Sequence, residues 1–257
     1  MDPKKVKNLN SERNRWLYGY RDSELPLDLI LEAGQAMYGR PDAISLYGRT
    51  PVEYFPLGVR LMGRTAIECC IDERAQYLAE EAYRVSQRLF PGERPIVIDL
   101  FAGSCNLLFH IARRLNAIEA LGFESDANVF ALTRRNLEIV QAPVQVHHGD
   151  YAACLAQFAN PGGAPVVCVV SPPWGAGFNY DMGLDLLRTE PPIDTITNHI
   201  HQILWPHNFV VLIQTHRKTV FSSAQQVSAG FTEVFDSFEQ DFLRDSHVGF
   251  LSCANRI

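Results

Sequence analysis

"VVCVVSPPWG", Val166 to Gly175, decides how the rest of the chain is read. An unbroken run of β-branched and apolar residues is what a strand buried on both faces requires, and such strands belong to the middle of a parallel sheet covered by helices. The run ends in Ser171-Pro172-Pro173-Trp174-Gly175 rather than in an ordinary turn. In open α/β sheets ligands lie outside the carboxyl ends of the strands, so polar and aromatic residues placed there are candidates for chemistry.

Outward from this strand the pattern alternates. IVIDLF (96 to 101), IEALGFE (118 to 124), VQVHH (144 to 148) and FVVLIQT (209 to 215) have strand character. SCNLLFHIARRL, DANVFALTRRNLEIV, IDTITNHIHQIL and SSAQQVSA carry helical spacing between them. Two extended runs, FTEVFDSF and HVGFLSCA, close the chain as a strand hairpin. Strands alternating with helices imply an α/β fold: a doubly wound, seven-stranded, mostly parallel sheet with right-handed crossovers. The character changes near LFPGERP (89 to 95). Upstream, LPLDLILEAGQAMYG and ECCIDERAQYLAEEAYRVSQRLF read as helices, and the stretch between them, RPDAISLYGRTPVEYFPLG, as loop and short extended pieces. The expected organisation is an N-terminal, mainly helical cap over 1–90 and a catalytic α/β unit over 91–257.

Composition narrows the function classes. A chain of 257 residues that is 47% hydrophobic can bury a full core. Its apolar runs are far shorter than the roughly 20 residues of a membrane helix, and the start, MDPKKVKNLNSERNR, has no apolar stretch behind its basic residues. A soluble, cytoplasmic protein without a membrane partner is expected. Six cysteines, at 69, 70, 105, 154, 168 and 253, form no CxxC pair, which favours buried reduced thiols and no metal site. His199 and His201 stand two apart on a helix and face different ways, so they do not suggest a metal pair either. The formal charge of −6 disfavours RNA and favours a small-molecule substrate. Oligomeric state is not legible.

The first strand leads into VIDLFAGSCN (97 to 106). Ala102, Gly103 and Ser104 let the backbone approach a ligand, and a helix starting at Ser104 to Asn106 offers free N–H groups. Neither GxGxxG nor GxxxxGK[ST] is present, which removes the nicotinamide and ATP readings. Asp99 precedes the turn. Glu124 ends the next strand, 21 residues after Gly103, close to the ~20-residue offset at which an acidic side chain meets ribose hydroxyls. Asp150, in HHGDY after the third strand, can accept from an adenine amino group by the same strand-end geometry.

These residues resemble class I S-adenosylmethionine-dependent methyltransferases: DLFAGSCN the cofactor turn, GFESD the ribose acid, HHGDY the adenine end and SPPWG the reaction centre, over roughly 96–215. The closing hairpin fits that family's sheet. SPPWG is most similar to the trimethylguanosine synthase group, and DLFAGS to ribosomal RNA guanine-N2 methyltransferases. The resemblance implies S-adenosylmethionine as cofactor, held by Asp99, Ala102, Gly103, Asn106, Glu124, Asp150 and Ser171. Cys105 stands where the family usually has a second glycine, which predicts a displaced loop at the methionine end.

Against that frame the end of the opening stretch acquires a role. Residues before proline stay out of the helical region, and neither Pro172 nor Pro173 donates a ladder hydrogen bond. The Ser171 hydroxyl and the Pro172 carbonyl can therefore hold the N–H bonds of an amine, while Trp174 offers a face for stacking a planar or cationic substrate. The expected reaction is methyl transfer to a nitrogen of a small-molecule or nucleoside-type acceptor, with S-adenosylhomocysteine as product. Two alternatives stand beside it: cyclisation of the cofactor to azetidine-2-carboxylate with release of methylthioadenosine, and RNA guanine-N2 methylation. Phe178, Asn179, Tyr180 and Asp181 are expected in a substrate lid. Trp16 and Tyr20, with Arg13, Arg15 and Arg21, form an aromatic, basic segment that could close over the substrate. His216, in His216-Arg217-Lys218, reads as the solvated start of a helix.

Overall fold

In the computed structural model, which describes residues 15–16, 18–160, 162–179, 181–236 and 248–255, the opening run becomes β4 of a seven-stranded sheet. In chain order the strands are β1 (Ile96–Asp99), β2 (Glu119–Glu124), β3 (Gln145–His148), β4 (Val166–Val170), the short pair β5 (Phe178–Asn179) and β6 (Gly183–Leu184), then β7 (Phe209–His216), β8 (Glu233–Asp236) and β9 (Val248–Asn255). The large sheet has the order β3-β2-β1-β4-β7-β9-β8. β9 runs antiparallel to both neighbours, and the other strands are parallel. This is the doubly wound Rossmann-like sheet expected from the alternation, and its winding reverses between β1 and β4. A crevice opens at such a reversal, outside the carboxyl ends of the two strands.

All five residues of β4 are buried, because helices cover both faces. Val97, Val167, Val169, Val210 and Leu212 face one layer. Ile96, Ile98, Val170, Val211 and Ile213 face the other. The helices are α1 (Leu27–Tyr38), α2 (Pro51–Tyr54), α3 (Gly63–Glu68), α4 (Asp72–Leu89), α5 (Asn106–Leu115), α6 (Ala127–Val140), α7 (Tyr151–Leu155), α8 (Ile193–Leu204) and α9 (Phe221–Ser228). Ala75, Leu78, Ala79 and Ala82 of α4 join the same core as α5 and the first sheet face. The helical segment upstream of residue 90 thus completes a layer of the α/β unit, each fully buried Leu contributing roughly 1.5–3 kcal/mol. Among the described residues no helix is long and apolar enough to cross a membrane.

Two local expectations differ from the structure. Residues 51–54, expected to be extended, are helical: Thr50 and Glu53 form a reciprocal capping box and Pro51 occupies the first turn, a start signal in the sequence TPVE. The helix expected over 68–90 is divided at Cys69, whose extended backbone (φ −65°, ψ 146°) ends α3 before α4 begins at Asp72.

Candidate functional site

The two sides of the crevice are built differently. On the β1 side the chain leaves the strand at Asp99, whose Oδ1 accepts from the Phe101 N–H at 3.1 Å. Asp99 is 2% exposed, and burial pushes its carboxyl up to about 7, with Glu124 adding to the rise. Gly103 turns with φ +50°. Its N–H donates to Glu124 Oε2 at 3.0 Å, and its carbonyl accepts from Thr133 Oγ1 at 2.8 Å.

Cys105 takes φ 56°, ψ 14°, the left-handed conformation that glycine adopts without strain, at a cost of about 1 kcal/mol for a residue with a Cβ. The turn is closed by the Cys105 N–H, which donates to the Ala102 carbonyl at 2.6 Å. Gly122 makes the room. A Cβ there would lie 2.8 Å from Ala102 Cβ and 3.0 Å from Cys105 Sγ, which accounts for a glycine in the middle of a buried strand.

Glu124 Oε1 accepts from the Asp126 N–H at 2.8 Å. Burial holds this carboxyl above the ordinary range, against the N–H groups of Asp126 and Gly103 and the charge of Arg64. Asp150 is exposed and caps α7, its Oδ1 accepting from Ala152 N at 2.9 Å and Ala153 N at 3.4 Å.

Asn106 does other work than the cofactor contact expected of it. It is 1% exposed, and its Oδ1 accepts from the Tyr47 N–H at 2.7 Å. Its Nδ2 donates to the Cys70 carbonyl at 2.8 Å and to Asp72 Oδ1 at 3.0 Å. Tyr47 Oη donates to the Ser104 carbonyl at 2.5 Å, and His110 Nε2 lies 2.8 Å from Asp72 Oδ1. A polar knot between the N-terminal segment and the turn consumes the side chain. Nothing in the spacing of SLYG (45 to 48) signals this contact.

On the β4 side, Asp99 is in register with Val169, so Ser171 stands two residues further, over the crevice. The Ser171 hydroxyl is buried and has no hydrogen-bond partner among the described residues, unusual for a buried polar atom. Pro172 is buried and Trp174 half-buried. The Pro173 carbonyl accepts from the Glu190 N–H at 3.2 Å, whereas no hydrogen bond to the Pro172 carbonyl is made among the described residues.

Trp174 packs on Phe178 (ring centroids 5.3 Å apart) and edge-on against His216 (6.0 Å), and Phe178 meets His216 at 4.9 Å. His216 is the last residue of β7 and 8% exposed, not the start of a solvated helix. The turn after it points the Lys218 N–H at Nδ1 from 3.1 Å, leaving the proton of the neutral ring on Nε2.

Phe178 and Asn179 lie in the β5–β6 hairpin. Asn179 Oδ1 accepts from the N–H groups of Asp181 and Met182 at 2.8 and 3.3 Å, so Asn179 shapes the hairpin turn, and Asp181 is exposed at its tip. Tyr180 and Arg13 lie outside the described residues. The hairpin is tied to the turn that follows β7: the Leu184 N–H donates to the Lys218 carbonyl at 2.7 Å, and the Val220 N–H to the Leu184 carbonyl at 2.8 Å.

Trp16 is 0% exposed and stacks on Tyr20 at 5.3 Å, within the core that the cap shares with the sheet. Its ring is a core residue rather than an open substrate face. Tyr20 is half-buried.

No family model and no curated protein matches the chain. Solved structures do. They include an rRNA methyltransferase, AviRa, from Streptomyces viridochromogenes (TM-score 0.46, 15% identity, covering 70% of this chain and 84% of that one). A precorrin-6y C5,15-methyltransferase from Geobacter metallireducens matches with TM-score 0.44 and 14% identity, covering 69% and 88%. A conserved hypothetical protein from Streptococcus pyogenes matches with TM-score 0.43 and 14% identity, covering 67% and 94%. At such identities and scores these likenesses add nothing to the strand order already described.

Proposed function

We propose that the protein is an S-adenosylmethionine-dependent methyltransferase acting on a nitrogen of a small-molecule or nucleoside-type acceptor. The observation that carries this reading is the buried, unpartnered Ser171 hydroxyl at the carboxyl end of β4, next to a carbonyl, Pro172, that is also free of hydrogen bonds among the described residues. Two acceptors left open together at the switch point suit the N–H bonds of an amine. They are costly to keep empty, since a buried polar atom without a partner costs about 1–3 kcal/mol.

The opposite rim fits the cofactor. Glu124 retains lone pairs for ribose hydroxyls beyond those given to Gly103 and Asp126, and Asp150 keeps its second oxygen for the adenine amine. The Gly103–Cys105 turn leaves the backbone close to the crevice. When bound, the cofactor supplies an electrophilic methyl group on a sulfonium. Ser171 and Pro172 orient the amine so that its lone pair points across the crevice. Trp174, backed by Phe178 and His216, fixes the plane of the acceptor and keeps water away. Alignment of this kind can supply ~7 kcal/mol or more of the barrier without a strong base.

Calorimetry with S-adenosylmethionine and S-adenosylhomocysteine, followed by mass spectrometry of products with and without an amine panel, tests the reading. Binding, with S-adenosylhomocysteine formed only when an amine acceptor is present, is expected. No binding overturns it. Methylthioadenosine formed from the cofactor alone replaces methyl transfer with cyclisation, and steep loss of acceptor affinity with rising salt points to RNA.

A further inference from the structure

We infer that Arg64, on the N-terminal helix α3, is a positioning residue for the cofactor's ribose, acting through Asp126 and Glu124. The inference rests on the cofactor reading above and concerns a residue outside every motif that led to it.

Arg64 extends from α3 to the loop after β2, where its Nη2 pairs with Asp126 Oδ2, and its Nε lies 4.0 Å from Asp22 Oδ1. The Arg64 side chain is only 12% exposed and that of Asp126 35%, so the guanidinium is withdrawn from water while the carboxylate keeps about a third of its surface in it. Removing one partner of such a pair leaves the other charge uncompensated. Asp126 is held by more than the ion pair. Its Oδ1 accepts from Asn128 N and Val129 N at 3.0 Å each, capping α6, and its own N–H donates to Glu124 Oε1 at 2.8 Å. Glu124 Oε2 in turn accepts from Gly103 N at 3.0 Å.

A continuous path therefore joins the guanidinium to the ribose acid and the cofactor turn. The electrostatics run the same way. The Asp126 carboxylate raises the Glu124 carboxyl and Arg64 lowers it, so Arg64 relieves repulsion between two acids one residue apart and keeps Glu124 an acceptor.

Arg64 is itself fixed by the segment before it. Gly63 N donates to the Ser23 carbonyl at 3.0 Å, Arg64 N to the Arg21 carbonyl at 3.3 Å and Leu25 N to the Leu61 carbonyl at 2.8 Å. A Cβ on Gly63 would collide with the Tyr20 carbonyl oxygen. Segment 20–25 and α3 are thus bonded to each other, and Arg64 carries their position to the ribose acid. The N-terminal segment is then part of the cofactor site, not only a cover for the acceptor.

The test compares binding of S-adenosylhomocysteine and its 2′-deoxyribose analogue by calorimetry in the full-length wild type, Glu124→Gln, Arg64→Ala, Asp126→Asn and the Arg64→Ala/Asp126→Asn double variant. Wild type is expected to prefer the ribose ligand about tenfold, as for loss of a hydrogen bond to a charged acceptor, and Glu124→Gln to lose the preference. Arg64→Ala and Asp126→Asn should each reduce it to about threefold or less, with no further loss in the double variant, as for residues in one network. Asp126→Asn keeps the N–H to Glu124 and the helix cap, so it stands in if Arg64→Ala folds poorly. If both single variants weaken binding of the two ligands equally and keep the wild-type preference, Arg64 merely holds the cap in place and the inference fails. If wild type binds neither ligand, or binds both equally, the cofactor reading itself fails.

Discussion

The β1–β2 rim of the crevice and the β4–β7 rim solve opposite problems. At Gly103, Glu124 and Asp126 the polar groups are joined to one another through backbone N–H donors, and Asp99 accepts from the Phe101 N–H, so that rim is set before any ligand arrives. At Ser171 and Pro172 the acceptors are unoccupied, and rigidity comes from three rings supplied by three segments: Trp174, Phe178 and His216. A bonded network can hold a constant ligand in one pose, whereas aromatic packing around open acceptors leaves the hydrogen-bonding for the molecule that is to react. The contrast teaches that the ring wall of the second rim is held through the hairpin's bonds to the turn after β7, while the first rim is held by bonds within itself.

Breaking that attachment should have the largest effect. Gly183 has φ +93°, and a Cβ there would collide with the Lys218 carbonyl oxygen. Gly183→Ala is expected to cost about 3 kcal/mol, read as a lower melting temperature together with fast hydrogen exchange at the Leu184 and Val220 amides. Slow exchange at both amides would show that the hairpin does not depend on this contact.

Ser171→Ala sharpens the contrast from the other side. Turnover is expected to fall about a hundredfold, as for a misplaced reacting group, while thermal stability rises by about 1 kcal/mol because an unpartnered buried hydroxyl is gone. A purely structural serine would show no fall in activity.

Asp99, on the first rim, gives an effect that depends on pH. In the unfolded chain this carboxyl releases its proton near pH 4, whereas in the fold burial delays release to about 7. The folded state therefore binds more protons across that window, and the group's contribution to stability is lost as pH rises through it. Asp99→Asn should unfold at a higher temperature than wild type at pH 8, by a few kcal/mol at about 1.4 kcal/mol per pKa unit, and show no gain at pH 4. Equal gains at both values would assign the effect to packing instead.

Particular residues show how far the sequence reached. The alternation of buried runs with helical spacing fixed the sheet, since a strand covered on both faces and a helix covered on one leave different periodicities. The position of Glu124 after the glycine turn was legible for the same reason: consecutive βα units keep short, regular separations. Asp126 and Asp150 were visible as acids in GFESD and HHGDY, yet their capping of α6 and α7 became clear only with the helix starts in place. The side-chain partners of Asn106, Tyr47, Cys70 and Asp72, were not legible because they lie far upstream. His216 was set aside for its basic neighbours, when the register of β7 against β4 carries it to the rings of Trp174 and Phe178.

By itself, then, the sequence determined what depends on nearest neighbours along the chain: the strands, the helices that separate them, and the turn and acid at adjacent strand ends. Tertiary structure alone decided that Arg64 reaches Asp126, that Trp16 is core and that His216 joins Trp174 and Phe178 in one wall. Those contacts arise from separate segments folded onto the sheet, and side chains brought together by long loops leave no periodicity by which either partner announces the other.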